Sequence, residues 1–346
     1  MPRTISQKQI AEQLNVHVTL VSKVLNGRMG TSGVSDAMAE RIRTTAREMG
    51  YRKNANAAAL RSGRQQVIAA FIDRRIGAAG SGLIEDLIAG ISDATGEFGQ
   101  RQQISFFKSA QEFSDLARDL HPGAVDGLVM SCARPEGLAA ELKRVQRLGI
   151  PVVSVYNGGV DPAVPNVEMN NARVIEVATT HLLQRGRRRV LHLSCSRPHE
   201  AGYHRALQQA GVPADPALVR YDYREGQMNF TREQGEDAVR AALAEGVAFD
   251  AICAQSDTQA IGAMYALIRE GRQIPRQVMI TGVDDSPLAQ QAFIPLTSVN
   301  QGFERRGRQA VALLSRLFSR QSIEPVVLEP RLSVRASTDP DAADLF

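Results

Sequence analysis

The first apolar positions along the chain repeat with a helical period. Ile10, Ala11 and Leu14 lie on one helical face behind Ser6 and Gln9, whose Ser-x-x-Gln spacing is that of a capping box, so a helix is predicted to start there. Asn15 tolerates a left-handed backbone and ends it. Val21, Val24 and Leu25 have the i, i+3, i+4 spacing of a second short helix, with Val18, Thr19, Ser22 and Lys23 on its other side. Two short helices so close together predict a helix-turn-helix. Ser35 caps a predicted third helix that turns Met38, Ile42, Ala46 and Met49 inward and stops at Gly50.

Further along, the pattern changes to short β-rich runs alternating with helical stretches. The runs are 67–72, 104–107, 127–130, 152–156, 190–193, 251–254 and 278–283, and the stretches include 83–98, 136–148, 172–183, 232–245 and 258–269. Such alternation predicts parallel sheets covered by helices, with ligand sites at the C-terminal ends of the strands. This part of the chain, about 280 residues, is long enough for one large or two smaller cores. The fold class is therefore a small all-α unit followed by an α/β domain.

Charge adds what the first unit faces. Residues 1–64 hold 11 Lys and Arg against 4 Asp and Glu, while the other 282 residues hold 30 against 33. A basic module on a slightly acidic body is the footprint of a polyanion-binding protein. The three cysteines, Cys132, Cys195 and Cys253, form no disulfide framework and suit a reducing compartment. No apolar run approaches the roughly 20 residues needed to cross a bilayer, and the amino terminus has no export-signal pattern. The expected location is the cytoplasm, in association with the nucleoid, and no membrane partner is expected.

In order, Ile10-Ala11-Glu12-Gln13-Leu14-Asn15-Val16, Val21-Ser22-Lys23-Val24-Leu25-Asn26-Gly27, Val34-Ser35, Gly50-Tyr51 and Asn54 to Leu60 resemble the signature of the lactose repressor (LacI/GalR) family of bacterial transcription regulators. The resemblance runs nearly end to end. It implies a helix-turn-helix domain over 1–53, a hinge helix and linker over 54–64, and an effector-binding and dimerisation domain over 65–346. That last domain would be like a periplasmic binding protein, two parallel-sheet subdomains between which the chain crosses three times.

The resemblance also assigns residues. Val18, Thr19 and Lys23 fall where side chains read base edges in the major groove: Lys23 suits guanine O6 or N7, and the Val18 and Thr19 methyls suit a thymine methyl. Ser6, Ser22, Asn26 and Lys53 suit phosphate oxygens, which fix register without reading sequence. His17 stands where the reading helix is capped, a weaker cap than Ser, Asn or Asp. Asn54, Ala57, Leu60 and Arg61 would form the minor-groove hinge contact, with Leu60 the apolar wedge from each subunit. The alanine-rich 54–61 segment favours helix but is too short to be stable alone, so it is expected to fold only when held.

For the effector, Asp73, Tyr156, Asn157, Ser256, Asp257 and Asp284 fall at strand ends, where converging polar groups suit a hydroxylated ligand. By resemblance, Phe230 is an aromatic wall, Asp284 an anchoring carboxylate and Gln301 a polar contact. Sugar-binding relatives carry an Arg after the strand at 190–193. Here His199 sits at that place and Arg197 lies in the loop before it, so a strongly anionic ligand is not expected unless Arg197 or a protonated His199 serves.

Other motifs were weighed against these. Gly77, Gly80 and Gly82 have the spacing of a dinucleotide loop, but the next strand ends at Phe107-Lys108 without the acid that holds a ribose. His192, Cys195, His199 and His204 fit no standard zinc spacing. No Ser-His-Asp ordering or nucleophile elbow is present. No catalytic residue, metal or cofactor is expected.

The expected function is a homodimeric repressor of a carbohydrate or related catabolic operon. It would be released from palindromic operator DNA by a small effector, a sugar or sugar derivative. The rival readings are a corepressor-dependent regulator, and more distantly a sugar-binding protein or an enzyme with an appended DNA module.

Overall fold

The structure is a computed structural model that describes residues 5–26, 34–51, 64–76, 81–132, 138–155, 161, 163–195, 197–221, 230–324, 326–339 and 341. Two compact units make up the chain, 1–65 and 66–346.

The first unit is the three-helix module. Helix α1 (Gln7–Leu14) starts in the expected capping box: Gln9 N donates to Ser6 Oγ at 3.3 Å and Ser6 N to Gln9 Oε1 at 2.8 Å. Asn15 ends it with a left-handed backbone, φ 51°. Helix α2 (Val18–Leu25) follows after a three-residue turn, and α3 (Asp36–Glu48) is capped by Ser35. Ile10, Ala11, Val21, Val24, Ala39, Ile42 and Ala46 form the core, with Leu14, Val16, Met38, Met49 and Tyr51 packed around it.

Among its described residues the second unit contains two large sheets and a two-stranded one. In the first, β1 (Val67–Asp73), β2 (Arg101–Phe107), β3 (Gly127–Ser131) and β4 (Val152–Ser154) run parallel in the order β2-β1-β3-β4. Strand β1 is apolar from Val67 to Ile72 because both of its faces are covered. Ile68, Ala70 and Ile72 pack under α4 (Leu83–Glu97), whereas Ala69 and Phe71 pack on the other side with α5 (Ala110–Arg118) and α6 (Ala139–Arg147).

After β4 the chain passes through β5 (Val167–Met169) and α7 (Asn171–Gln184) into the second sheet. That sheet holds β6 (Val190–Ser194), β7 (Val219–Tyr221), β8 (Ala251–Ala254), β9 (Met279–Val283), β10 (Thr297–Asn300) and β12 (Arg331–Ser333), in the order β12-β10-β9-β8-β6-β7. Only β12 pairs antiparallel. Helix α8 (Arg197–Gln209) packs with α7 on one face, and α9 (Arg232–Ala244) with α10 (Asp257–Arg269) on the other. A short α11 (Pro287–Gln291) follows β9.

The last long helix, α12 (Phe303–Phe318), returns to the first sheet, packing on α4, β3 and β4. The chain then forms β11 (Val326–Leu328), which pairs with β5, and ends its strands at β12 in the second sheet. It thus passes between the sheets near 155–170, 301–302 and 329–330.

Glycine sets the contact between helix pairs in this unit. A Cβ on Gly90 of α4 would meet Glu304 O at 1.9 Å, on Gly202 of α8 Ala172 O at 1.9 Å, and on Gly235 of α9 Gln259 O at 2.0 Å. Backbone therefore touches backbone at each crossing, which no larger residue permits.

Candidate functional site

On the first unit, Val18, Thr19 and Lys23 are exposed on α2, opposite its buried Val21 and Val24. His17 caps this helix: Thr19 N donates to His17 Nδ1 at 3.4 Å, and the Thr19 hydroxyl lies 2.8 Å from the same nitrogen. Asn26 Nδ2 donates back to Ser22 O at 2.7 Å and lies 3.2 Å from Ser22 Oγ, so these two expected phosphate ligands hold each other. Ser6 is exposed and tied into its capping box. Lys53, Asn54, Ala57, Leu60 and Arg61 lie outside the described residues, as do Tyr156 and Asn157.

In the second unit, polar side chains gather where β6, β8, β9 and β10 end. Asp284 follows β9 with φ 115°, is 5% exposed, and accepts from Gln301 Nε2 at 2.7 Å. Burial, and next the negative charge of Asp257, hold its carboxyl well above the ordinary carboxylate range, against the pull of the Gln301 bond. Asp257 accepts from Ser286 N and Ser286 Oγ, each at 2.8 Å, and from Ser298 Oγ at 2.5 Å. With three donors, Asp257 is the better placed of the two to keep its charge, and Asp284 to take the proton. A protonated Asp284 both donates and accepts, as a ligand hydroxyl does.

The remaining expected effector residues have other partners. Asp73, at the end of β1, is fully buried and paired with Arg75, which donates from Nε at 2.8 Å and Nη2 at 2.7 Å. Ser256 is the N-cap of α10, where its hydroxyl accepts from Gln259 N at 3.1 Å. Asp257 joins α10 to the turn after β9 and to β10. Phe230 is half-buried and directly precedes Thr231, the N-cap of α9.

The two groups considered as replacements for the missing loop Arg do not supply its charge. Arg197 donates to Glu200 Oε2 at 2.8 Å, lies 4.2 Å over the Tyr221 ring, and its side chain is 69% exposed. His199 is half-buried with its ring withdrawn from water, which pushes its pKa down to about 4, so the ring is neutral. Gln255 Oε1 accepts from Cys195 N at 2.6 Å, which turns the amide nitrogen of Gln255 toward His199 Nδ1 at 2.7 Å. His199 Nδ1 is then an acceptor and its proton sits on Nε2, which meets no partner.

Two residues were missed in the sequence. Gln255, directly after β8, gave no signal because the tautomer it sets depends on a fold contact across 56 residues. Arg306 did leave one. It falls within the apolar stripe of α12, among Phe303, Ala310, Val311 and Leu314, and is 1% exposed with its guanidinium 4.5 Å over the Phe303 ring. Burial, then the charge of Arg305, push its pKa down to about 9, which leaves it charged at neutral pH.

Among the described residues no group of His, Cys, Asp or Glu is arranged to hold a metal ion, and no helix is long and apolar enough to cross a membrane.

A helix-turn-helix in one unit and a two-sheet α/β fold with polar groups at its strand ends in the other define a class, the DNA-binding regulators with a ligand-binding domain. Residues 179–338 match the family profile of a periplasmic binding protein-like domain. The chain is 32% identical to the HTH-type transcriptional regulator CelR of Thermobifida fusca, covering 92% of this chain and 93% of that one. It is 25% identical to the ribose operon repressor of Haemophilus influenzae, over 96% and 98% of the two chains. These relatives place it plainly: the chain belongs to the LacI family of transcription regulators. Among solved structures it is similar to a CelR–cellobiose complex, at 28% identity and a TM-score of 0.66, over 96% of this chain and 99% of that one. The lac repressor dimer bound to operator and the anti-inducer ONPF shares the fold, at 20% identity and a TM-score of 0.74, with 97% and 99% covered.

Proposed function

We propose that this protein is a homodimeric repressor of a carbohydrate or related catabolic operon, released from a pseudo-palindromic operator by a small hydroxylated effector. The supporting observation is the pairing of an exposed Val18, Thr19 and Lys23 face on α2 with the Asp284–Gln301 cluster at the strand ends of the second unit. The first is shaped for base edges and the second for ligand hydroxyls. Relatives named as an operon repressor and as a regulator solved with cellobiose support the same reading. Val18, Thr19 and Lys23 read bases, while Ser6, Ser22, Asn26 and Lys53 hold phosphates and Asn54, Ala57, Leu60 and Arg61 the minor groove. Asp284, Gln301, His199 and Phe230 face the effector, with Tyr156 and Asn157. The protein acts in the cytoplasm at the nucleoid and catalyses no reaction.

The mechanism is linkage: the effector binds one arrangement of the two sheets better than the other, and that arrangement is the one that releases operator. A 100-fold change in operator affinity requires about 2.7 kcal/mol of coupling, within the usual range.

The test is a selection of genomic DNA fragments on purified, ligand-free protein. Enrichment of one pseudo-palindrome, bound about 10-fold or more weakly by Lys23→Ala, is the expected result. No enrichment by folded, dimeric protein would overturn ligand-free repression in favour of corepressor dependence.

A further inference from the structure

Arg306 is a buried cation with no counter-charge in contact among the described residues. Among the described residues its Nε and Nη2 meet no hydrogen-bond partner, and the acid that draws on it, Glu168 of β5, acts more weakly than the opposing Arg305. Glu168 Oε1 is itself bonded by Asn166 Nδ2 at 2.8 Å. A guanidinium placed in a core without a carboxylate destabilises the domain that holds it, and an anion delivered to it reverses that penalty.

Its position in the fold says where that anion comes from. Gly127, at the start of β3, lies against Leu314 and Phe318, so α12 runs antiparallel to β3 and its first turn lies toward the strands' C-terminal ends. Phe303 and Arg306 stand one turn apart there, directly after Gln301, whose amide holds Asp284. Two other cations near strand ends are engaged, Arg75 by Asp73 and Arg197 by Glu200.

We propose that Arg306 is the anion-recognising group of the effector site, and that the effector is a hydroxylated molecule carrying a carboxylate or a phosphate. This rests on the reading of the Asp284–Gln301 cluster as the effector site, and it replaces the expectation that a strongly anionic ligand needs Arg197 or a protonated His199. A guanidinium presents a planar fork that matches either anion with two parallel hydrogen bonds.

The experiment uses the purified full chain and its variants Arg306→Met and Arg306→Lys, with thermal shift and calorimetric titration of four probes: glucose, cellobiose, gluconate and glucose 6-phosphate. The expected result is that an acid is bound more tightly than the neutral sugars. Arg306→Met should weaken it by about 30-fold or more, and Arg306→Lys should recover part of the loss. Gluconate alone would identify a carboxylate, and glucose 6-phosphate alone a phosphate. Without ligand, Arg306→Met should melt above wild type, because the unpaired charge is gone. The proposal is overturned if no acid shows Arg306-dependent binding, or if ligand-free Arg306→Met melts below wild type. Asp284→Ala separates the two readings. A neutral sugar bound through Asp284 and indifferent to Arg306 removes the anion alone, whereas binding of every probe unchanged in Asp284→Ala removes the effector site itself.

Discussion

Gln301 donates to Asp284 at 2.7 Å, joining the first residue after β10 to the first residue after the neighbouring parallel strand β9. Both residues stand where parallel sheets bind ligands, and one of them opens a passage of the chain toward the first sheet. Asp284→Ala should therefore abolish effector response while leaving ligand-free operator binding in place. Gln301→Ala, which frees the carboxyl but keeps it, should weaken the response about 10-fold. Titrating operator release against effector checks both, and an unchanged response in Asp284→Ala would remove that residue from the site.

His17 is an uncommon cap for α2, accepting from Thr19 N through a ring nitrogen at 3.4 Å. A shorter oxygen acceptor should do better, so His17→Asn should stabilise α2 by about 0.5–1 kcal/mol. Amide hydrogen exchange over 18–25 reads this directly as slower exchange. Faster exchange would show that the imidazole contributes more than its one acceptor.

Burial holds His192 and His199 at pKa values of about 4, below the ordinary 6.5. Above pH 6.5 both folded and unfolded chains leave these rings neutral, so neither affects stability. As pH falls from there toward 4, the unfolded chain takes up protons that the folded one refuses, and stability drops. Each ring should cost about 2 kcal/mol between pH 7.5 and pH 5. Asp257 and Asp284, raised by burial, act in the opposite sense over part of this range. The measurement is therefore the difference between wild type and His199→Gln in denaturant unfolding at the two pH values. It should narrow or reverse by about 2 kcal/mol at the lower pH, and a constant difference would contradict a neutral buried ring.

Two glycines of α4 give opposite forecasts. Gly90→Ala drives a methyl into Glu304 O, at 1.9 Å, and should destabilise by at least about 2 kcal/mol despite alanine's better helix propensity. Gly96 has nothing within 4 Å of an added Cβ, so Gly96→Ala should stabilise by up to about 1 kcal/mol. Thermal unfolding of the pair checks the packing of α4 on α12, and equal effects would refute it.

The first unit was legible in the sequence because its first and third helices carry their own start and stop, in Ser6, Asn15, Ser35 and Gly50, and the second shows the helical spacing of Val21, Val24 and Leu25. The strand runs of the second unit were legible for a different reason: both faces of β1, β6, β8 and β9 are covered, which makes them mostly apolar. Strands β5, β7, β10, β11 and β12 were not foreseen. They are three or four residues long, too short for a pattern of their own, and β10 carries Thr297, Ser298 and Asn300, so their pairing partners make them strands. Of the proposed site, the resemblance named Asp284 and Gln301, which are hydrogen-bonded to each other. The engagement of Asp73 by Arg75 and of Asp257 by Ser286 and Ser298 was not, since a carboxylate at a strand end looks the same whether it faces a ligand or a neighbour. Arg306 could have been found from its place in the apolar stripe of α12, between the more exposed Arg305 and Arg308.

The return of α12 to the first sheet bears on how the protein is made. Phe303, Val311 and Leu314 complete the core around Ile68, Ile72 and Val153, though more than two hundred residues separate Ile68 from Phe303. As the chain leaves the ribosome, the three-helix module has all of its core residues by Ala46 and its stop by Gly50. The first sheet, begun next, keeps one apolar face partly bare until almost the last residues of α12 emerge. Synthesis thus releases a finished DNA reader long before its regulatory half can close, and for most of that interval the growing chain presents an open hydrophobic surface to chaperones and to its sister chains.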